Sequence, residues 1–490
     1  MIPNRGEIAL RIIRACRGLG IKTVALYSDQ DRNSGYVKQA DESFHLGPSI
    51  AKESYLNVAQ ILSIAKKCKA DAIHPGYGFL SENADFAEIC DKNKIVFIGP
   101  SSLAIRKIGD KIQAKKLAQK LGIPVVDGIT ECVNLNKIKA FISKNGLPIL
   151  LKAKGGGGGR GMRVVRDRSA LEKSYKEAAN EAESYFKDKS LFVEKYILKP
   201  RHIEVQILAD KFGNAVHLFE RECSIQRRHQ KLIEESPSVT VRDDKKNELF
   251  VSALKLIKAS GYTNAGTVEF LVEGSNFYFL EVNTRLQVEH PVTEMLTGID
   301  IVKEQIKIAS GERLTYAQNE IAKKGHAIEC RILAENALDG FIPSLGRITA
   351  FRPPKGPFVR VDADLANGTE ISAHYDSLIA KVICCGMNRF EAIANMKRAL
   401  SEFVVAGIHT TIPFHLAMMR NKNFAEGEIY TRYVEEKFKL RQDDKLANTA
   451  RVIASVLEFN LMSGGRSAYA KTEPISSWKQ AFRNKSKSQK

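Results

Sequence analysis

Two apolar runs, residues 267–272 and 277–282, flank Glu273-Gly274-Ser275-Asn276, whose Gly and Asn tolerate the positive φ of a tight reversal. The stretch reads as a β-hairpin, and it constrains the chain more than any other. With the turn centred on Ser275, Glu269 lies across from Glu281. Strand side chains alternate with period two, so Asn283 and then Arg285 follow on the face that carries Glu281. Like charges directly opposed destabilise a sheet unless both stand in water or hold a cation between them. The Leu, Val, Phe and Tyr neighbours argue against a wet surface ribbon, which is the bland alternative. Carboxylate and amide oxygens without His or Cys favour Mg²⁺ or Mn²⁺ shared with phosphate oxygens over zinc.

At 490 residues and 44% hydrophobic content the chain can bury a large core, and its length suggests about three domains. No run approaches the roughly 20 apolar residues of a membrane span. The N-terminal residues show neither a signal-peptide apolar region nor a long Arg/Ser-rich transit segment, so a cytoplasmic protein is expected, the mitochondrial matrix being the alternative. The eight Cys include no C-x-x-C pair and read as reduced thiols. A net charge of +19 would suit nucleic acid, but it comes from Lys scattered along helical faces without an aromatic-interleaved stripe. A solvated surface that draws in anions such as ATP, bicarbonate or a coenzyme A thioester is expected, with neither nucleic acid nor membrane as partner.

Strand and helix alternate through residues 8–98, which implies a parallel sheet with helices on both faces and a helix capped near Ser81. The chain begins where the loop after the first strand should be, so a central sheet position is expected to stand empty. Farther on, strands 149–153 and 162–165 bracket Lys154-Gly155-Gly156-Gly157-Gly158-Gly159-Arg160-Gly161. Six glycines among eight residues suit neither helix nor sheet but do suit a flap whose bare N–H groups close over phosphates. Residues 191–197 read as a strand whose backbone near Glu194 to Ile197 could meet a purine edge. In 201–208 alternation puts His202, Glu204 and Gln206 on one face, and the cationic and amide run 220–231 reads as anion-facing. A second α/β region opens at 326 and ends with a helix at 389–402; beyond about 435 the pattern weakens.

Asn4-Arg5-Gly6-Glu7-Ile8-Ala9, the stretch from His74-Pro75-Gly76-Tyr77 to Asn83, the glycine flap, the run 220–231 and Glu281-Val282-Asn283-Thr284-Arg285-Leu286-Gln287-Val288-Glu289-His290-Pro291 occur together and in one order. In this the chain resembles biotin carboxylase, the ATP-grasp component of biotin-dependent carboxylases, from Asn4 to about Glu435. The resemblance implies an α/β protein with a Rossmann-like N-terminal domain lacking its first strand (1–107), an ATP-grasp domain (108–325), an α/β C-terminal biotin carboxylase domain (326–435) and a linker entering a subunit-contact region (436–490). The last segment is similar to the propionyl-CoA carboxylase alpha chain.

The resemblance further implies that ATP phosphorylates bicarbonate to carboxyphosphate, whose CO₂ passes to N1 of biotin. Lys111 and Lys152 would hold phosphates, and Gly158, Gly159 and Met162 would close over the nucleotide. Glu194, Lys195, Ile197, His202, Gln226 and His229 would line the adenosine site. Glu269, Glu281 and Asn283 would bind Mg²⁺ or Mn²⁺, as a pair of ions. Lys231, Arg285, Gln287 and Val288 would receive bicarbonate, Glu289 would be the general base, and Arg331 would stabilise the biotin enolate. No Ala-Met-Lys-Met motif is present. Biotin is therefore expected on a biotin carboxyl carrier protein or domain of another chain, with a carboxyltransferase subunit passing the carboxyl group to propionyl-CoA or acetyl-CoA, in a homodimer or larger complex. Lys154 stands where the family usually has a small residue. The alternative is a catalytically idle subunit kept for interaction, and a carbamoyl-phosphate-type ligase stands behind it.

Overall fold

Ile8, Ile12, Ile13 and Ala15 recur at helical spacing and are all buried, so the chain winds into α1 (Gly6–Arg17) and packs that stripe with Ile2, Ala25 and Ile98. The computed structural model describes residues 1–129, 132–153, 162–186 and 188–440. Lys154, Gly158, Gly159 and the rest of the glycine flap, and the expected linker segment 441–490, lie outside the described residues.

In the N-terminal segment β1 (Val24–Ser28) pairs in parallel with β2 (Glu42–Gly47). After α2 (Val58–Lys67), β3 (Ala72–Ile73), which precedes α3 (Ala84–Lys92), pairs in parallel with β4 (Val96–Phe97). The cap of α3 is Asn83, whose side chain accepts from the Phe86 N–H; Ser81, expected in that role, lies buried in the turn before it. The central position expected to be empty is filled. The Met1 amino group donates to the Ala72 carbonyl at 2.8 Å, the His74 N–H to the Met1 carbonyl at 3.0 Å, and the Ile2 N–H to the Val24 carbonyl at 2.9 Å. Two residues suffice because β3 and β4 are themselves only two residues long, and Ile2, 2% exposed, supplies the apolar plug.

Asp110 caps α4 (Lys111–Lys120) by accepting from the N–H groups of Ile112 and Gln113. There follow β5 (Gly128–Ile129), α5 (Leu135–Asn145), β6 (Ile149–Ala153), β7 (Met162–Val165), α6 (Leu171–Phe186) and β8 (Leu191–Lys195). The strands form an antiparallel sheet in the order β5-β8-β6-β7, with Ile138, Leu151 and Val193 in its core.

The main sheet is built from β9 (Arg201–Ala209), β10 (Ala215–Arg227), β11 (Gln230–Ser236), then, after α7 (Asp243–Ser260), β12 (Asn264–Glu273) and β13 (Asn276–Asn283). After α8 (His290–Thr297) come β14 (His326–Leu333), β15 (Val359–Ala363), β16 (Leu378–Gly386) and α9 (Arg389–Glu402). Its order is β13-β12-β9-β10-β11-β14-β16-β15, antiparallel throughout. The α/β region that opens at 326 thus extends the same sheet. One face is apolar: Ile203, Val205, Val268 and Phe270 meet α7, and Ile328, Cys330 and Val382 meet α9. The other face carries Glu204, Gln206, Glu234, Glu269 and Glu329, with α8 packed against it. None of the eight cysteines is in a disulfide, and among the described residues no helix is long and apolar enough to cross a membrane.

Candidate active site

Glu273 pairs with Asn276 and Phe270 with Phe279, so the hairpin turns on Gly274-Ser275, with Gly274 at φ +59°. Continued without interruption, that register would set Glu269 opposite Leu280 and leave Glu281 on the same face as the core residues Phe277 and Phe279. A β-bulge at Leu280 prevents this. It inserts one residue, brings Glu281 opposite Glu269, and returns Val282 to the core. Asn283 Nδ2 then donates to Glu269 Oε1 at 2.8 Å, and Arg285 Nη2 to Asn283 Oδ1 at 3.1 Å. The expected pairing is present, but a bulge sets it.

The hairpin forms one wall of a cleft of about 1200 Å³. Every described candidate of the sequence analysis lines it except Glu289. On the side of the small sheet stand Lys152, Met162, Glu194, Lys195 and Ile197. Glu194 takes Lys115 Nζ at 2.7 Å and Lys152 Nζ at 2.5 Å, and these two lysines hold its carboxyl below the ordinary range against a burial that would raise it. Lys111, at the start of α4, reaches Glu281 Oε2 at 2.6 Å. His202 Nε2 stands 2.9 Å from Glu269 Oε2, and its Nδ1 lies 2.8 Å from Gln226 Nε2. His229 sits in the two-residue turn between β10 and β11, where burial lowers its imidazole below the ordinary range.

The run 220–231 serves mainly to build the sheet, in contrast to the expected anion-facing cluster. Its Arg221 is fully buried, with Nε on Glu204 Oε1, Nη1 on Gln206 Oε1 and Thr293 Oγ1, both at 2.8 Å, and Nη2 on Thr267 Oγ1 at 3.2 Å. Buried Glu220 and Glu222 are met by Lys246 and Arg201. Of that run, Gln226, His229, Gln230 and Lys231 line the cleft.

Lys231 Nζ stands among three carboxylates, 2.6 Å from Glu204, 2.9 Å from Glu269 and 2.7 Å from Glu289. They push its ammonium well above the ordinary value although burial works the other way. Glu289 stands at the position just before α8 with no exposure; Arg331 Nη2 donates to its second oxygen at 2.9 Å, and Arg331 Nε to Glu234 Oε1 at 2.6 Å. Burial would raise the Glu289 carboxyl, but Lys231, Arg331 and Arg221 outweigh it and hold it well below the usual range. Glu269 is depressed likewise by Lys231 and His202. Gln287 bridges Arg285 Nη1 at 2.9 Å to Glu269 Oε1 at 3.3 Å, and the Val288 carbonyl accepts from Lys381 Nζ at 2.9 Å.

The oxygens of Glu269, Glu281 and Asn283 gather on one wall, compensated by Lys231 and Lys111. Hard oxygen donors beside cationic groups fit a divalent ion accompanied by phosphate. Glu269 also forms, with His202 and Glu204, a set of ligand atoms within 4.8 Å of one another. Sequence reasoning placed Glu204 on the right face but gave it no role. It missed Glu82, which accepts from Arg285 Nε at 3.0 Å, and Lys115, Glu234 and Lys381 entirely. None of these lies in a contiguous motif with its partner, so only the fold could join them.

Residues 1–105 match the family model described as Biotin carboxylase, N-terminal domain; residues 110–317 match Carbamoyl-phosphate synthase L chain, ATP binding domain; residues 329–436 match Biotin carboxylase C-terminal domain. The chain is 51% identical over 438 residues to Biotin carboxylase 1 of Bacillus subtilis, covering 89% of this chain and 97% of that protein. It is 50% identical over 437 residues to a pyruvate carboxylase subunit of Methanothermobacter thermautotrophicus, covering 89% of each. It is also similar to the solved biotin carboxylase domain dimer of the Hydrogenobacter thermophilus 2-oxoglutarate carboxylase in complex with MgADP, ADP and bicarbonate, with a TM-score of 0.85, 46% identity, and 89% of this chain and 96% of that one covered.

Proposed function

Because this chain belongs to the biotin carboxylase family and is an ATP-dependent ligase that carboxylates biotin, we propose that it acts on biotin carried by another polypeptide, through the residues gathered in the cleft. Lys231, Arg285, Gln287 and the backbone of Val288 receive bicarbonate, whose planar oxyanion suits forked guanidinium donors. Glu289 removes its proton. The freed oxygen attacks the γ-phosphorus of ATP, ADP leaves, and the carboxyphosphate so formed breaks to CO₂ and phosphate. The phosphate so released takes the proton of biotin N1, and N1 takes up the CO₂ while Arg331 neutralises the enolate oxygen. Glu269, Glu281 and Asn283 are the residues that would hold Mg²⁺ or Mn²⁺, which when bound neutralises charge between phosphate oxygens. Lys111 and Lys152, now resting on Glu281 and Glu194, hold the phosphates; Met162, Glu194, Lys195, Ile197, His202, Gln226 and His229 surround the adenosine.

The observation that carries this reading is the clamp on Glu289. A carboxylate that is ionised but flanked by Lys231 and Arg331 is a poor base until its cations turn to a substrate anion, so bicarbonate binding itself would raise its basicity. We propose 1–107, 108–325 and 326–435 as the domains, with 436–490 as a linker entering a subunit-contact region. The partners proposed are a biotin carboxyl carrier protein or domain, a carboxyltransferase subunit, and a second copy of the chain, since the Hydrogenobacter relative is described as a dimer. Propionyl-CoA or acetyl-CoA is the proposed acceptor; pyruvate competes with it, since a half-identical relative belongs to a pyruvate carboxylase.

The test is ATP cleavage with bicarbonate and free biotin. Glu289→Gln should lower the bicarbonate-stimulated rate by about 10²- to 10⁴-fold while nucleotide binding persists. A mutant stimulated as strongly as the parent would exclude Glu289 as the base.

A further inference from the structure

Behind the Arg331 guanidinium, on the face covered by α8, β11 and β14 set Glu234 directly opposite Glu329. Neither side chain has any exposure. Glu234 Oε1 is taken by Arg331 Nε, but Glu234 Oε2 and both oxygens of Glu329 meet no donor. Side chains directly opposed in an antiparallel pair have Cβ atoms about 4.5–5.5 Å apart, so the two carboxyl groups are neighbours. The nearby cation of β16, Lys381, does not resolve the conflict, because its Nζ is engaged by Glu7 Oε1 at 3.1 Å and by the Val288 carbonyl at 2.9 Å. Two adjacent buried carboxylates do not both ionise; a single proton between them satisfies one orphan oxygen as donor and another as acceptor.

We propose that Glu329 is a positioning residue that works as a neutral carboxylic acid, donating its proton to Glu234 so that Glu234 stays anionic and holds Arg331 with its Nη2 on Glu289. The inference rests on the roles given above to Arg331 and Glu289. The charged and titratable groups around the pair are Arg331 on β14, Lys231 on β11, Lys381 on β16, Glu7 on α1, and Glu289, His290 and Glu294 at α8. Burial is the largest influence on both carboxyls. It raises Glu329 well above the ordinary value although Lys381 opposes it, and raises Glu234 to about 7 although Arg331 opposes it.

Glu329→Gln keeps a neutral donor of the same shape, whereas Glu329→Leu removes it. The glutamine variant should retain bicarbonate-dependent ATP cleavage within about twofold; the leucine variant should lose about ten- to a hundredfold in kcat, as expected when a catalytic group is slightly misplaced. The pH profile separates this role from a merely structural one. In the parent chain activity should fall at alkaline pH as Glu329 ionises, and in Glu329→Gln that limb should disappear. A folded carboxyl with a raised pKa binds more protons than the unfolded chain above the ordinary range, so it costs stability as pH rises. Glu329→Gln should therefore melt at or above the parent temperature at neutral pH and higher. Infrared difference spectra with labelled glutamate should show a protonated carboxyl band at neutral pH that Glu329→Gln removes. Absence of that band, full activity in Glu329→Leu, or equal losses in both variants would overturn the proposal. If Glu289→Gln kept its bicarbonate stimulation, the catalytic reading would fall, while the infrared band would still decide the shared proton.

Discussion

His415 is fully buried, with Nε2 2.7 Å from the Arg331 carbonyl oxygen, and burial lowers its imidazole from 6.5 to about 4. The neutral ring thus donates to the strand that carries Arg331. Between those two values the unfolded chain binds a proton that the folded chain refuses. Stability from this residue is complete above 6.5 and is lost as pH falls toward about 4, by at most about 1.4 kcal/mol per pH unit. His415→Gln should flatten the fall in melting temperature between pH ~6.5 and pH ~5, where carboxylates of ordinary pKa have hardly begun to titrate. An unchanged slope in circular-dichroism melts would assign that acid sensitivity to other groups.

At the scale of the element, the bulge at Leu280 decides which face of β13 carries the carboxylate. Inserting one alanine after Leu280 would set the new residue opposite Glu269 and shift Glu281 opposite Val268, onto the face of the core residues Phe277 and Phe279. An unpaired carboxyl there costs several kcal/mol or is neutralised by a proton. The insertion should lower the melting temperature and abolish Mg²⁺-dependent ATP cleavage together. Cleavage within about twofold of the parent would show that the spacing after Phe279 does not aim Glu281. The β10–β11 turn is a comparable device: Arg228 and His229 both lie at positive φ, +47° and +66°, the pair of signs that a tight two-residue hairpin requires. That geometry presents His229 to the cleft and Lys231 to the carboxylates.

Over the whole described chain, a buried ion network ties α1 to the C-terminal strands. Glu294 on α8 accepts from Arg11 Nη2 at 2.8 Å through one oxygen and from Arg360 Nη1 at 2.7 Å through the other, and both guanidiniums are raised above their ordinary value against burial that would lower them. Glu7, held by Lys381 and by the Tyr77 hydroxyl, makes a second tie. Removing one partner of such a set leaves uncompensated buried charge, which costs about 3–5 kcal/mol. Glu294→Gln should lower stability by that order in denaturant melts and loosen α8, which Glu289 immediately precedes. A loss below about 1 kcal/mol would mean that the network is solvent-screened like a surface pair.

The periods and punctuation of the sequence determined the hairpin, the helix α9 at its observed bounds, the strands 149–153 and 162–165, and the single face shared by His202, Glu204 and Gln206. These are local properties, set by φ preferences and by side-chain alternation within a few residues. The contiguous motifs also carried the family likeness, and with it the residues that line the cleft. Other features were decided only by the tertiary structure. Met1 and Ile2 fill a sheet position because short strands from two distant segments meet there. Arg221, read as anion-facing, became a buried strut because Glu204, Gln206 and Thr267 surround it from neighbouring strands. Glu234 and Glu329, ninety-five positions apart, face one another only because β14 joins the sheet beside β11. Long-range strand order and desolvation act between residues that share no sequence neighbourhood, so charge state and partnership in this site belong to the fold.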